Sequence, residues 1–271
     1  MWDSVAPGWE ANAAFVDAQM AQATEAMLDA AGVREGVAVL DLAGGPGGAG
    51  LAAANRTGSG GSVMLSDVAG EMVGIAARRA SAYSQITTAV FDQNTIPLDA
   101  ASFDSVINRH GLMFVDDPVA AVAEAVRVLR PSGRYAAMTW DRRERNPWLG
   151  LILNAMGDQF GVPFPPPNVR GPFSLDSADE LTSVLNAGGL QDVAVGVVKT
   201  PMRAASLNEW WERVPKLAGP LAMALAGMEP DVRKAIADRA MQAGAKAATQ
   251  ETDGIVFTGS VLIGSGLKPP A

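Results

Sequence analysis

The chain contains no cysteine. Disulfides, thiolate metal sites and cysteine nucleophiles are therefore excluded. It has a single histidine, His110, and no cluster of histidines and acids that reads as a metal site. Positive charge is scarce. The formal net charge is −8, with no long basic run, so the cationic footprint that nucleic-acid binding requires is missing. Arg142, Arg143 and Arg145 read as a solvated turn. No apolar run approaches the roughly 18 residues of a membrane span. The first basic residue is Arg34, so the charged start of a signal peptide is absent too. The expectation is a soluble, cytoplasmic protein. Its 271 residues suit one large domain, or a domain with an insertion.

What is present is an alternation of periods. Residues 1–34 are rich in Ala and Met with helical spacing, and a helix is expected from about Asn12 to Ala31, stopped by Gly32. Short apolar strands follow at 37–40, 62–66, 86–91, 102–108 and 134–139, with helices expected near 48–56, 70–82 and 117–130. Strand and helix alternating at this spacing build βαβ units and a doubly wound parallel sheet, a Rossmann-like α/β fold. The texture changes after Trp140. Residues 141–173 are rich in Pro and Gly with apolar anchors, and read as a covering loop. A helix over 176–188, a strand over 191–199, a helical stretch over 206–250 and a last strand over 255–263 complete the chain. The expected organisation is an N-terminal helical cap (1–34), a cofactor-binding core (35–141), a lid loop with continuation of the core (142–205), a helical substrate-covering insertion (206–250), and a last strand with tail (251–271).

The stretch "VAVLDLAGGPGGAG", residues 37–50, carries the first chemical signal. Gly45 to Gly50 literally matches G-x-G-x-x-G, the dinucleotide fingerprint, in which a helix N-terminus holds a pyrophosphate. Asp41 ends the strand immediately before the glycines, and a carboxylate there repels a pyrophosphate. It suits S-adenosylmethionine, whose ammonium an acid can accept from directly or through water. Glycines let the backbone approach such a ligand closely. Asp67 ends the second strand, twenty residues after Gly47. A carboxylate there can accept both hydroxyls of an adenosine ribose, which either cofactor offers.

From Asp41 to about Trp140 the sequence resembles the class I S-adenosylmethionine-dependent methyltransferases, and most closely the small-molecule enzymes of ubiquinone/menaquinone-biosynthesis type. Their acidic, glycine-rich first motif reads here Asp41-Leu42-Ala43-Gly44-Gly45-Pro46-Gly47, with Ala43 in place of the first glycine. The resemblance implies Asp67 at the ribose and Val68 beside the adenine. In "FDQNTIPLDAASFDSVI" it implies Asp92 accepting from the adenine amino group and Gln93 donating from its backbone. "RVLRPSG", residues 127–133, is similar to the family's turn into strand five. The resemblance also implies a seven-stranded, mostly parallel sheet whose last strand runs antiparallel. The expected cofactor set is Asp41, Ala43, Gly44, Gly45, Gly47, Asp67, Val68, Met72, Asp92, Gln93, Asn108 and Arg109.

The implied activity is transfer of a methyl group to oxygen or carbon of a small, apolar or aromatic metabolite. Alignment and desolvation supply much of that chemistry, and a base is needed only if the acceptor must lose a proton. His110 lies just past strand four, where sheets of this kind bind ligands, and is a candidate general base titrating near neutrality. The alternative is a turn at Asn108–Gly111 whose imidazole only packs. Trp2, Trp9 and Phe15 on the N-terminal segment, with Trp140 and Trp148, are candidates for the acceptor pocket. Phe160, Phe164, Trp210 and Trp211 belong to the same set if their segments line it. Competing readings are an NAD(P)-dependent oxidoreductase, which Asp41 and the missing Tyr-x-x-x-Lys pair argue against, and an inactive ligand-binding relative. The acceptor's identity and the assembly state, a homodimer included, stay open.

Overall fold

The computed structural model describes residues 1–270. The chain opens with helix α1 (Trp2–Ala30), then β1 (Ala38–Asp41), α2 (Gly48–Thr57), β2 (Ser62–Asp67), α3 (Gly70–Arg79), β3 (Ile86–Val90) and β4 (Phe103–Arg109). It continues with α4 (Pro118–Val128), β5 (Leu129–Trp140), α5 (Pro147–Phe160), α6 (Ala178–Ala187) and β6 (Gln191–Lys199). The last part is β7 (Met202–Ala204), α7 (Leu207–Leu217), α8 (Gly219–Ala226), α9 (Pro230–Ala247), β8 (Thr249–Glu251), β9 (Gly254–Phe257) and β10 (Ser260–Leu267).

Seven strands form one sheet in the order β3-β2-β1-β4-β5-β10-β6. The contacts among β1 to β5 are parallel, while β10 runs antiparallel to both its neighbours. This is the expected doubly wound, Rossmann-like sheet. The strand order reverses between β1 and β4, and the crevice outside the carboxyl ends of such strands is where ligands bind. β1 and the centre of β4 are apolar and buried because both faces are covered. Leu40 and Val106 pack on one face with Val122, Ala125 and Leu181. Val39 and Ile107 pack on the other with Ala23, Met27 and Ala53. A second, three-stranded sheet, β7-β9-β8, packs with α5, α7 and α9 around Trp210 and Phe257.

Four boundaries differ from expectation. The first helix begins at Trp2 rather than near Asn12, and contains Pro7. Its early turns are held by tertiary packing, since Val5 and Ala6 are buried against Met72 and Ile75 of α3. The fifth strand begins at Leu129, so Pro131-Ser132-Gly133 lies inside it as an irregularity, with Ser132 at φ 63°. The expected covering loop contains α5, a 14-residue helix that starts with proline at its first position and buries Trp148, Leu149, Ile152 and Leu153. The single last strand is two strands in two sheets. At Gly259 between them, an added Cβ would lie 2.1 Å from the carbonyl oxygen of Thr200, so the crossing passes tight against that backbone.

Candidate active site

The turn after β1 is built by backbone geometry. Ala43, Gly45 and Gly47 have φ of 53°, 53° and 87°. Such angles favour glycine, and Ala43 adopts one despite its Cβ. The loop amides point into the protein: Gly44 N donates to Ser66 O at 2.8 Å, Gly45 N to Asp67 Oδ2 at 2.9 Å, and Gly47 N to Gly44 O at 2.9 Å. A loop whose amides are bonded this way does not offer them to a pyrophosphate.

Asp41 is fully buried beneath this loop and does not line the cavity in front of it. A Cβ on Gly44 or on Gly50 would lie 2.9 Å from its Oδ2. Neither carboxylate oxygen has a hydrogen-bond partner of good geometry. Burial pushes its pKa up to about 7, with the Arg109 guanidinium and then the Gly50 amide pulling less strongly downward. Of the two expected contacts, direct or through water, the direct one does not fit this position, because Gly44 packs against the Asp41 carboxylate. Asp67 does line the cavity. Its Oδ1 accepts from Ala69 N at 2.9 Å and its Oδ2 from Gly45 N. Burial raises its pKa, against these hydrogen bonds. A carboxylate has about four acceptor positions, so two remain for hydroxyl groups.

Ala43, Gly44, Gly45, Val68, Met72, Asp92, Gln93 and Arg109 also line one cavity of about 340 Å³. Gly47 and Asn108 do not. Gly47 precedes α2 with its Cα turned toward Ala76 and Leu65. Asn108 is buried and works from behind: its Oδ1 accepts from Gly111 N at 2.9 Å and Leu112 N at 3.0 Å, and its Nδ2 donates to Gln93 Oε1 at 2.6 Å. Gly111 must be glycine there, since a Cβ would lie 2.4 Å from Ala43 Cβ. Arg109 donates to Asp17 Oδ1 at 3.3 Å and Thr24 Oγ1 at 3.2 Å. Asp17 also pairs with Arg79, whose Nη1 donates to Pro46 O at 2.7 Å. This network ties α1 over the glycine loop.

Opposite the loop the wall is aromatic. Trp2, Trp9, Phe15, Trp140 and Trp148 all reach the same cavity. His110 stacks on Trp140 at 4.1 Å with planes 14° apart, and Trp148 meets Trp140 edge-on at 4.9 Å. The Trp148 indole N–H donates to Asn146 Oδ1 at 3.2 Å. His110 has φ 63°, and both ring nitrogens are buried without a partner. Burial, then the nearby Arg109 charge, drives its pKa down to about 3. The imidazole is therefore neutral throughout the physiological range, and the expectation of a near-neutral titrating base is corrected.

Phe160, Phe164, Trp210 and Trp211 do not reach the cavity. Trp210 is the core of the helical insertion, donating to Trp148 O at 2.7 Å. Met113, Phe114, Met202 and Val214 do line the cavity and had not been anticipated. Met113 and Phe114 directly follow strand four, which was a usable signal. Met202 and Val214 arrive from distant elements, and nothing local marked them.

Comparison with known proteins fits this geometry. Residues 40–137 match the family model described as a methyltransferase domain. The core of the chain is thus similar to a methyltransferase domain over these residues. Around it the chain is 35% identical over 113 residues to a ubiquinone/menaquinone biosynthesis C-methyltransferase of Bordetella parapertussis, covering 41% of this chain and 44% of that protein. It is 36% identical over 116 residues to the uncharacterized protein Rv1405c of Mycobacterium tuberculosis, covering 42% and 41%. The chain thus spans less than half the length of these curated relatives. Beyond the methyltransferase domain the likeness is one of fold. The YcgJ protein of Bacillus subtilis superposes with a TM-score of 0.60 at 18% identity, covering 92% of this chain and 99% of that one. A geranyl diphosphate C-methyltransferase of Streptomyces coelicolor superposes with 0.52 at 18%, covering 91% and 78%. No helix among the described residues is long and apolar enough to cross a membrane.

Proposed function

We propose that this protein is an S-adenosylmethionine-dependent methyltransferase that methylates oxygen or carbon of a small, apolar or aromatic acceptor. The observation that carries the reading is one cavity holding both a glycine turn with the strand-end acid Asp67 and, opposite, a wall of tryptophans. When bound, S-adenosylmethionine supplies an activated methyl group for in-line displacement, with a neutral thioether as leaving group. Asp67 accepts the ribose hydroxyls with its remaining lone pairs, and Asp92 and Gln93 face the adenine. Gly44 and Gly45 let the backbone approach the amino-acid end. Arg109, held by Asp17 and Thr24, fixes α1 over the site. The aromatic wall excludes water and aligns the acceptor, which is the main catalytic contribution this chemistry needs. His110 acts as a neutral packing group stacked on Trp140.

The inward amides of Gly44, Gly45 and Gly47 count against a nicotinamide cofactor. The reading is tested by transfer of labelled methyl from S-adenosylmethionine to a panel of phenols, enols and electron-rich aromatics, with the product's labelled atom identified. Tight cofactor binding with no transfer to any acceptor, in the panel or in metabolite extracts, would instead mark an inactive ligand-binding protein.

A further inference from the structure

The cavity's charge is lopsided. Its wall carries Asp67, Asp92 and Asp116 against one guanidinium, Arg109. That guanidinium is not free: the Arg109 side chain is 7% exposed, and its terminal nitrogens donate to Asp17 and Thr24. His110 adds no positive charge near neutrality. The end facing the glycine loop is mostly apolar, formed by Phe15, Val16, Trp140, Trp148, Leu149 and Met202, with Gln19 and His110 as uncharged polar groups. Among the described residues no group of three or more His, Cys, Asp or Glu side chains is gathered to hold a metal ion beside it. An anion placed there would be desolvated with no free cation to pair it, a heavy penalty, whereas a flat apolar ring gains from burial and from the aromatic edges and faces. The volume of about 340 Å³ is that of the whole cavity, cofactor end and acceptor end together, which leaves room for a small acceptor only.

From this we infer that the acceptor is a small, flat, uncharged molecule, bearing no phosphate, diphosphate, sulfate or carboxylate. The inference rests on the methyltransferase reading and deepens it. It is independent of the fold. Two structures of similar fold, the geranyl diphosphate C-methyltransferase and a phosphoethanolamine N-methyltransferase of Haemonchus contortus, are named for phosphorylated compounds. They share 18% identity with this chain, and the lining residues here are its own.

The test uses the full chain saturated with S-adenosylhomocysteine and a matched set of probes: 2-naphthol, 2-naphthyl phosphate and 2-naphthoate. Calorimetry first records the cofactor product binding, then each probe. The expected result is that 2-naphthol binds at least about tenfold more tightly than either anion. Gln19→Lys places a cation at a half-buried position of the same wall, and narrows or reverses that ratio. Trp148→Ala weakens 2-naphthol while leaving S-adenosylhomocysteine binding within about threefold. The inference is overturned if either anion binds as tightly as 2-naphthol, or if 2-naphthol does not bind at about 1 mM. Cofactor binding with an anion preference removes this inference alone. Failure of S-adenosylhomocysteine and S-adenosylmethionine to bind removes the parent reading and this one with it.

Discussion

The two ends of the cavity are made in different ways. The glycine-loop end comes from residues 41–111, in the turns that follow β1, β2, β3 and β4, and consists of backbone turned to unusual angles and carboxylates at strand ends. The aromatic end is assembled from α1, the end of β5, α5, β7 and α7, and consists of side chains. At the first end local stereochemistry dictates the residue: little but glycine fits opposite Ala43. At the second, any large apolar side chain of the right volume can fill the space, and identity is set by packing between distant segments. Substitutions at the first end should therefore act on cofactor affinity, and at the second on acceptor affinity.

The largest expected effect concerns Asp41. Its carboxyl has a pKa of about 7 in the fold against 3.8 when unfolded. As pH rises above about 4 the unfolded chain releases this proton first, while the folded chain keeps it until about 7. Stability therefore falls across that window, by up to about 4 kcal/mol from this one group, and levels off above it. Urea unfolding of wild type and Asp41→Asn between pH 4 and 8 checks this, with the variant's curve flatter over that range. Gly111→Ala should come next. Its Cβ would meet Ala43 Cβ at 2.4 Å and Asn108 Oδ1 at 2.8 Å, neither on a flexible arm. The expected cost is about 2–3 kcal/mol of stability. S-adenosylmethionine affinity, read by calorimetry, should fall about a hundredfold, because the glycine loop must shift. Unchanged affinity would show that the loop is not part of the site.

These two ends were not equally legible in the sequence. Asp41, the glycines and Asp67 announce themselves because turns with positive φ and strand-end acids leave marks a few residues long. The doubly wound parallel sheet was readable from the strand and helix periods between Val37 and Trp140. What the sequence hid was non-local. The first helix was expected only from about Asn12, yet α1 begins at Trp2 and runs through Pro7 because Val5 and Ala6 are buried on α3. Asn108 and Asp41 read as ligand contacts, yet both lie behind the surface, since a strand-end residue can face either way. Nothing near Met202 or Val214 signals a cavity wall. His110 was located correctly, but its ionisation was not, because burial is a property of the packed protein.

Smaller effects sharpen the comparison. Asp67→Ala leaves Gly45 N and Ala69 N without their acceptor and should weaken S-adenosylmethionine about tenfold or more, with 2-naphthol binding little changed. Asn146→Leu should do the reverse. Asn146 is fully buried, donating to Asp141 O and Ser260 O at 2.8 and 2.9 Å and accepting from Trp148 Nε1. Its loss frees the Trp148 wall, so 2-naphthol affinity should drop several-fold while cofactor affinity holds. Smallest of all is His110→Ala, expected to change turnover by less than about tenfold. A hundredfold loss, together with disappearance of a pH inflection near neutrality, would restore it as a base.

The most direct test of the central claim is calorimetry of the purified chain against S-adenosylmethionine and against oxidised and reduced nicotinamide dinucleotides. The account predicts saturable binding of S-adenosylmethionine in a one-to-one ratio, weakened by Asp67→Ala, and no nicotinamide binding at comparable concentrations. Tight binding of a nicotinamide dinucleotide with none of S-adenosylmethionine would contradict it.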